Sequence, residues 1–228
     1  MTRKVFWEDP YRTELDTVVS SVSGNDVTVE ATVFYAFSGG QESDAGSIAG
    51  HRVCEARKQG GEIVYTLPEG HGLRAGDRVR MKIDWERRYR LMRLHFAAEL
   101  VLEIVYRLLP GVEKIGAHIS ADRARIDFQW PENISAHFPE IIARVGSIIE
   151  ADHGILSTYE DEAAQRRCWE IPGFARVSCG GTHLKRTGEV GRIVLKRRNV
   201  GRSKERIEIS LDSETRGRGE HEDADTAA

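Results

Sequence analysis

Over the first third of the chain, apolar and polar positions alternate in short runs: TVVSSVSG (17–24), DVTVEATVFY (26–35), EIVYTL (62–67) and RVRMKID (78–84). Turn-forming stretches separate them, SGGQESDAGSIAG (38–50) and HGLRAGD (71–77). A period of two sends alternate side chains to opposite faces, and short runs at this spacing predict a small β-barrel or sandwich over residues 1–84. At Trp85 the period changes. WERRYRLMRLHFAAELVLEIVYRLL (85–109) contains neither glycine nor proline and places Leu91, Leu94, Ala98, Leu102, Val105 and Leu109 at helical spacing. This predicts a long amphipathic helix, capped by Asp84 and ended by Pro110-Gly111.

A short strand, ARIDFQW (124–130), and a second helix around PEIIARVGSIIEAD (139–152) follow, with Pro139 suited to a first-turn position. Strand patterns then return in RVSC (176–179), GEVGRIVLKRR (188–198) and SKERIEISL (203–211). The expected class is α+β: a small N-terminal β-barrel, then an α+β domain over 85–211 with a mostly antiparallel sheet and two main helices.

Charge modifies this picture at one end. The chain carries a net charge of -3, but residues 212–228 hold six acidic and two basic residues with no apolar run. Such a segment buries too little surface to offset its ordering entropy, so a disordered acidic tail is expected there. Three cysteines (Cys54, Cys168, Cys179) at unrelated spacings do not make a disulfide framework, and no leader-like or membrane-length apolar run is present. A cytoplasmic protein is expected.

Candidate chemistry centres on CGGTH (179–183). Cys179 and His183 are both zinc-type donors, yet the spacing equally suits a buried cysteine and a turn histidine. On the long helix, HFAAE sets His95 and Glu99 four apart on one face, a spacing for gripping one ion or for a plain hydrogen bond.

Three ordered motifs add to these pairs. Arg-x-x-x-Met-Arg-x-His (88–95), CGGTHLKRTGEVG (179–191) and TVFYAFSGGQESDAG (32–46) together resemble the editing domain of alanyl-tRNA synthetases and its freestanding relatives. The third is similar to a signature that typically reads Thr-x-Phe-Tyr-Pro-x-Gly-Gly-Gly-Gln-x-x-Asp-x-Gly, with Ala36 in place of the proline and Ser38 in place of the first glycine. The resemblance covers roughly residues 4–211. It implies a Zn2+ site formed by His95, Cys179 and His183, with Glu99 where the family usually has a second histidine. Glu99 is then either the fourth ligand or a base beside a three-ligand zinc.

The resemblance also implies that the glycine-rich loop lies over an editing pocket. Thr32, Gly39, Gly40 and Gln41 would contact the aminoacyl group, and Gln41, Glu99, Gly181 and Thr182 would serve catalysis, the glycine turn offering N–H groups to a tetrahedral oxyanion. The implied activity is zinc-dependent trans-editing, the hydrolysis of seryl- or glycyl-tRNA(Ala) bound by its acceptor end. A site built to hydrogen-bond a hydroxyl can select serine over alanine where an apolar pocket cannot. The alternatives are a zinc-stabilised tRNA-binding module without catalysis, or a deacylase for another mischarged tRNA. No ATP-binding or aminoacylation module is expected in this length. Basic residues cluster at Arg87, Arg88, Arg90 and Arg93 and, more densely, from Lys185 to Arg206; RNA contact is expected at the second cluster.

Overall fold

Valine and threonine fill the alternating runs, and their branched side chains favour extended backbone. A computed structural model describes residues 1–212, with strands β1 (Glu14–Ser23), β2 (Asp26–Val29), β3 (Gly46–Ile48), β4 (His51–Arg52), β5 (Glu55–Gln59), β6 (Glu62–Thr66) and β7 (Arg78–Ile83). All but Asp212 of the expected acidic tail lies outside the described residues. The seven strands form one antiparallel sheet in the order β4-β3-β7-β1-β2-β6-β5. β1 pairs with β7 along its first half and with β2 along its second, and a register shift between Val19 and Ser21 bends it where the partner changes.

The expected barrel is therefore realised as a curled half-barrel. Its edge strands β4 and β5 form no ladder with each other; the link between them is instead pinned to either flank, Val53 N–H to Gly46 O and Cys54 N–H to Thr66 O, both 2.9 Å. Phe6, Phe34, Tyr65, Ile48, Ile63 and Met81 fill its interior. A two-residue parallel pairing of Arg3–Lys4 with Ala31–Thr32, and a helical turn at Val5–Glu8, bring Trp7 to the side that faces the rest of the chain.

Helix α1 (Trp85–Leu108) begins as expected, with the Asp84 carboxylate accepting from the Arg87 N–H at 3.1 Å. Its buried face is wider than an amphipathic stripe. Phe96, Ala97, Leu100, Val101 and Ile104 are buried along with the predicted positions, because α1 packs against a sheet and a second helix at once. The remaining elements are β8 (Glu113–Ile119), β9 (Ala124–Gln129), α2 (Phe138–Glu150), β10 (Leu156–Asp161), β11 (Arg166–Ile171), β12 (Ala175–Ser178), β13 (Ile193–Gly201) and β14 (Lys204–Leu211). Two antiparallel sheets result, β8-β9-β14-β13 and β10-β11-β12. Ala124, Ile126, Phe128, Ile207 and Ile209 point from the four-stranded sheet into a core shared with α1 and α2.

Between this core and the half-barrel lies a fully buried ion pair. The Arg88 guanidinium of α1 donates to both Asp44 oxygens, at 2.8 and 2.5 Å, and to the carbonyls of Pro10 and Val33.

Candidate metal centre

α1 carries His95 and Glu99 one turn apart, and the segment leaving β12 carries Cys179 and His183. Folding brings one donor atom each from His95, Cys179 and His183 within 4.8 Å of one another. His95 Nε2 stands 3.2 Å from Cys179 Sγ and 3.5 Å from Glu99 Oε1. Supporting bonds fix the outer sides of the site. Ser157 Oγ lies 3.1 Å from His183 Nδ1, and Trp169 Nε1 donates to Glu99 Oε2 at 3.2 Å.

His183 Nε2 is buried without a hydrogen-bond partner, which is costly for a polar atom unless something else satisfies it. A buried nitrogen left without a partner beside a thiol and a second imidazole fits a cation, and the cluster can hold a metal ion.

Burial sets the charge state of these groups. Burial holds the His95 and His183 imidazoles below their ordinary pKa, His183 well below, with His95 as a further cause. Burial also pushes the Cys179 thiol up, and the Glu99 carboxylate adds to this, while the Gly181 N–H opposes it by donating toward the sulfur. Without a cation the three donors are thus held uncharged. Lys114, on β8, adds a distant positive charge felt by both His95 and Cys179.

The glycine turn is shaped by what stands against it. A Cβ on Gly181 would lie 2.6 Å from His95 Cε1, 2.8 Å from its Nε2 and 3.0 Å from Gln41 Oε1, so no larger residue fits without moving the imidazole. The Gly180 carbonyl accepts from Trp7 Nε1 at 2.9 Å. Thr182 is fully buried and bonded twice to Gln41, which is also fully buried.

The glycine-rich loop reaches this point by crossing the end of β8. Ile119 N–H donates to Gly40 O at 2.7 Å and Glu42 N–H to Ile119 O at 2.9 Å. Gly40, at φ +86°, lies so close that a Cβ would sit 2.6 Å from Ala117 O. A cavity of about 260 Å³ opens between loop, helix and turn, lined by Tyr35, Ser38, Gly39, His95, Glu99, Lys114, Cys179, Gly180 and Gly181 among others.

Of the expected site residues, the structure gathers Gly39, His95, Glu99, Cys179 and Gly181 around this cavity and His183 behind it, with Gln41 and Thr182 packed against the turn. Gly40 packs on β8. Thr32 stands apart: its hydroxyl lies 2.6 Å from Tyr65 OH, accepts from Phe34 N–H at 2.9 Å, and is fully buried in the half-barrel. The N–H groups of Gly181 and Thr182 are directed to Cys179 and to Gln41 Oε1, respectively. Tyr35, from the glycine-rich signature, and Lys114, Ser157 and Trp169 complete the surroundings; the last three carry no local sequence signal, since each reaches the site from a different strand. The first arginine cluster is tied inward: Arg87 to Glu42 and Ser43 O, Arg88 to Asp44, Arg90 to Ala121 O and Arg93 to Val190 O.

Residues 170–208, from β11 through the glycine turn into β14, match the threonyl and alanyl tRNA synthetase second additional domain. The chain is 33% identical over 216 residues to the alanyl-tRNA editing protein AlaX-M of Pyrococcus horikoshii, covering 93% of this chain and 99% of that one. It is 32% identical to its counterpart from Saccharolobus solfataricus, covering 91% and 98%. Identity is 35% over 214 residues with the alanine–tRNA ligase of Ignicoccus hospitalis, where the match takes in 83% of this chain but 24% of the ligase. The chain belongs to the AlaX-M family of alanyl-tRNA editing proteins. No helix among the described residues is long and apolar enough to cross a membrane.

Proposed function

We propose that the protein is a trans-editing hydrolase that deacylates seryl- or glycyl-tRNA(Ala), with zinc held by His95, Cys179 and His183 and with Glu99 at the fourth corner. The observation that carries this reading is the convergence of His95, Cys179 and His183 beside a small cavity under the glycine-rich loop, with Glu99 on the cavity wall, in a chain whose relatives are named alanyl-tRNA editing proteins. Residues 1–84 supply the loop and residues 85–211 supply the donors. Bound zinc supplies positive charge that polarises an ester carbonyl or acidifies water.

The chain's own groups supply the rest. A cavity of about 260 Å³ admits a small aminoacyl group. Ser38, Glu99 and the backbone of Gly39 and Gly180 border it, so a serine hydroxyl finds hydrogen-bond partners that alanine leaves unused. Gln41 and Thr182 set the turn that presents Cys179 and His183. Thr32 steadies the strand leading into the loop through Tyr65.

One observation favours a second role for Glu99. It lines the cavity and lies outside the three-donor cluster, as a carboxylate accepting a proton from the attacking water would. Glu99→His and Glu99→Gln separate the roles. If Glu99 is a ligand, the histidine variant keeps metal and the glutamine variant binds it less tightly; if it is the base, both retain metal and lose turnover.

The deciding experiment measures zinc content by atomic absorption and release of labelled amino acid from Ser-, Gly- and Ala-tRNA(Ala) and from other mischarged tRNAs. Zinc near one per chain with serine or glycine release is expected, and Cys179→Ala should lose both. Stoichiometric zinc with no release from any tRNA would leave a binding module, and full activity in Cys179→Ala would contradict the assignment.

A further inference from the structure

The four-stranded sheet has two unlike faces. One is the apolar face against α1. On the other, alternate residues of β9, β14 and β13 carry Arg125, Arg206, Lys204, Lys196 and Arg198, with Arg123 at the turn before β9. Asp127 and Glu208 also belong to this face, but their side chains are only 13% exposed, against 61% for Arg123 and 52% for Arg198. Asp127 pairs with Arg206 at 2.6 Å and with Arg125, and Glu208 with Arg198 at 3.2 Å. These two acids lie beneath the guanidinium groups, while exposed Asp122 and half-exposed Glu42 border the same face; its six basic residues outnumber its four acids although the whole chain is at -3. Among the described residues Lys196 forms no ion pair, and it is exposed.

This face is joined to the candidate site by β8. Alternate residues of that strand point to opposite sides: Ala117 and Ile119 line the cavity, whereas His118, followed by Ser120, lines a groove in which Arg123, Lys196 and Arg198 stand among Glu42, Asp122 and Glu208. Where groove and loop meet, the His118 and Phe37 rings lie 6.4 Å apart. Phe37 is 53% exposed and directly precedes the cavity-lining Ser38 and Gly39. An exposed aromatic beside a cavity, at the end of a line of cations, matches the two requirements for binding a nucleic-acid end: backbone charge and a stacking surface.

We propose that the outer face of the β8-β9-β14-β13 sheet is the track for the RNA acceptor stem, its phosphates on Arg123, Lys196 and Arg198, and that Phe37 stacks on the unpaired terminal base at the cavity mouth. The identity of the partner as RNA rests on the function proposed above; the choice of surface does not.

The test uses the full chain and a fluorescein-labelled, uncharged acceptor minihelix with a single-stranded 3′ end, with dissociation constants measured across a salt series. Each lost phosphate contact should lower the slope of log affinity against log salt by about 0.7–0.9, so Lys196→Ala lowers it by about one and the Arg123→Ala/Lys196→Ala/Arg198→Ala variant by about two to three. Lys196→Ala removes no ion pair, so it reports even if the triple variant folds poorly. Phe37→Ala should weaken the minihelix by about fivefold or more and a blunt duplex little. Arg52→Ala/Arg74→Ala, which removes two exposed charges from the half-barrel, should leave the slope unchanged. An unchanged slope in Lys196→Ala and in the triple variant, or an equal loss in the half-barrel variant, overturns the proposal. Serine release from Ser-tRNA(Ala) by the unaltered chain is measured separately: its absence with the slopes as expected would remove the hydrolase reading and keep the surface.

Discussion

Gln41 and Thr182, 141 residues apart, grip each other twice: Gln41 Nε2 donates to Thr182 Oγ1 at 3.0 Å, and Thr182 N–H donates to Gln41 Oε1 at 3.4 Å. Both are fully buried, so this contact fixes the glycine-rich loop to the turn that carries Cys179 and His183. Gln41→Ala leaves the Thr182 groups without partners, at a cost of about 1–3 kcal/mol. We expect a lower melting temperature and reduced deacylation with most of the metal retained. Metal lost in parallel with activity would show instead that the loop is needed to hold the donors.

Gly181→Ala places a methyl group within 2.6–2.8 Å of the His95 ring. The imidazole must turn or the chain must move, and either disturbs a donor. Metal affinity should fall about 10- to 100-fold, as on loss of an outer-sphere partner. A competition titration with a chromophoric chelator measures it, and unaltered affinity would mean that His95 does not bind the ion through the ring position seen here.

Metal-free protein should be acid-sensitive. Because burial lowers both imidazole pKa values from 6.5, the unfolded state takes up protons that the folded state refuses. Their contribution to stability is therefore complete above about pH 6.5 and is lost as pH falls below it, at up to about 1–3 kcal/mol per pH unit for two groups. Metal uptake weakens in the same direction, since protons compete for the donors. Thermal unfolding of chelator-treated protein from about pH 7 to about pH 5 measures the effect, and a flat profile would place both rings in contact with water.

Arg88→Met should destabilise by about 3–5 kcal/mol, since it leaves a buried carboxylate unpaired. Adding Asp44→Asn should recover part of this. Equal melting temperatures for the single variant and the unaltered chain would contradict the burial of the pair.

Much of this was legible in the sequence, for reasons that differ by element. The boundaries of α1 could be read because Asp84 and Pro110-Gly111 act locally, whereas its breadth of burial could not, since that depends on α2 and the four-stranded sheet packing on two sides. β8 and β10 are not legible because both are edge strands: EKIGAHI has a single buried residue and LSTYED none, so neither shows the alternation that marks a half-buried strand. The cluster of His95, Cys179 and His183 is legible through two i,i+4 pairs together with a family resemblance, as neither pair alone distinguishes ligation from an ordinary contact. The surroundings of Thr32 were not legible, because its hydroxyl meets Tyr65, a partner 33 residues away. For the same reason, nothing in the spacing of Arg87, Arg88, Arg90 and Arg93 shows that the Arg88 guanidinium is buried against Asp44 or that the other three, half-buried, bond to a carboxylate and carbonyls of the protein.

The link between Arg88 and Asp44 also bears on how this protein can be dissected. The residue that neutralises the glycine-rich loop's aspartate comes from the first turn of the helix, so a fragment ending at residue 84 would keep the carboxylate and lose its counter-charge. Shuffling the half-barrel onto another scaffold would have to carry that first helical turn with it.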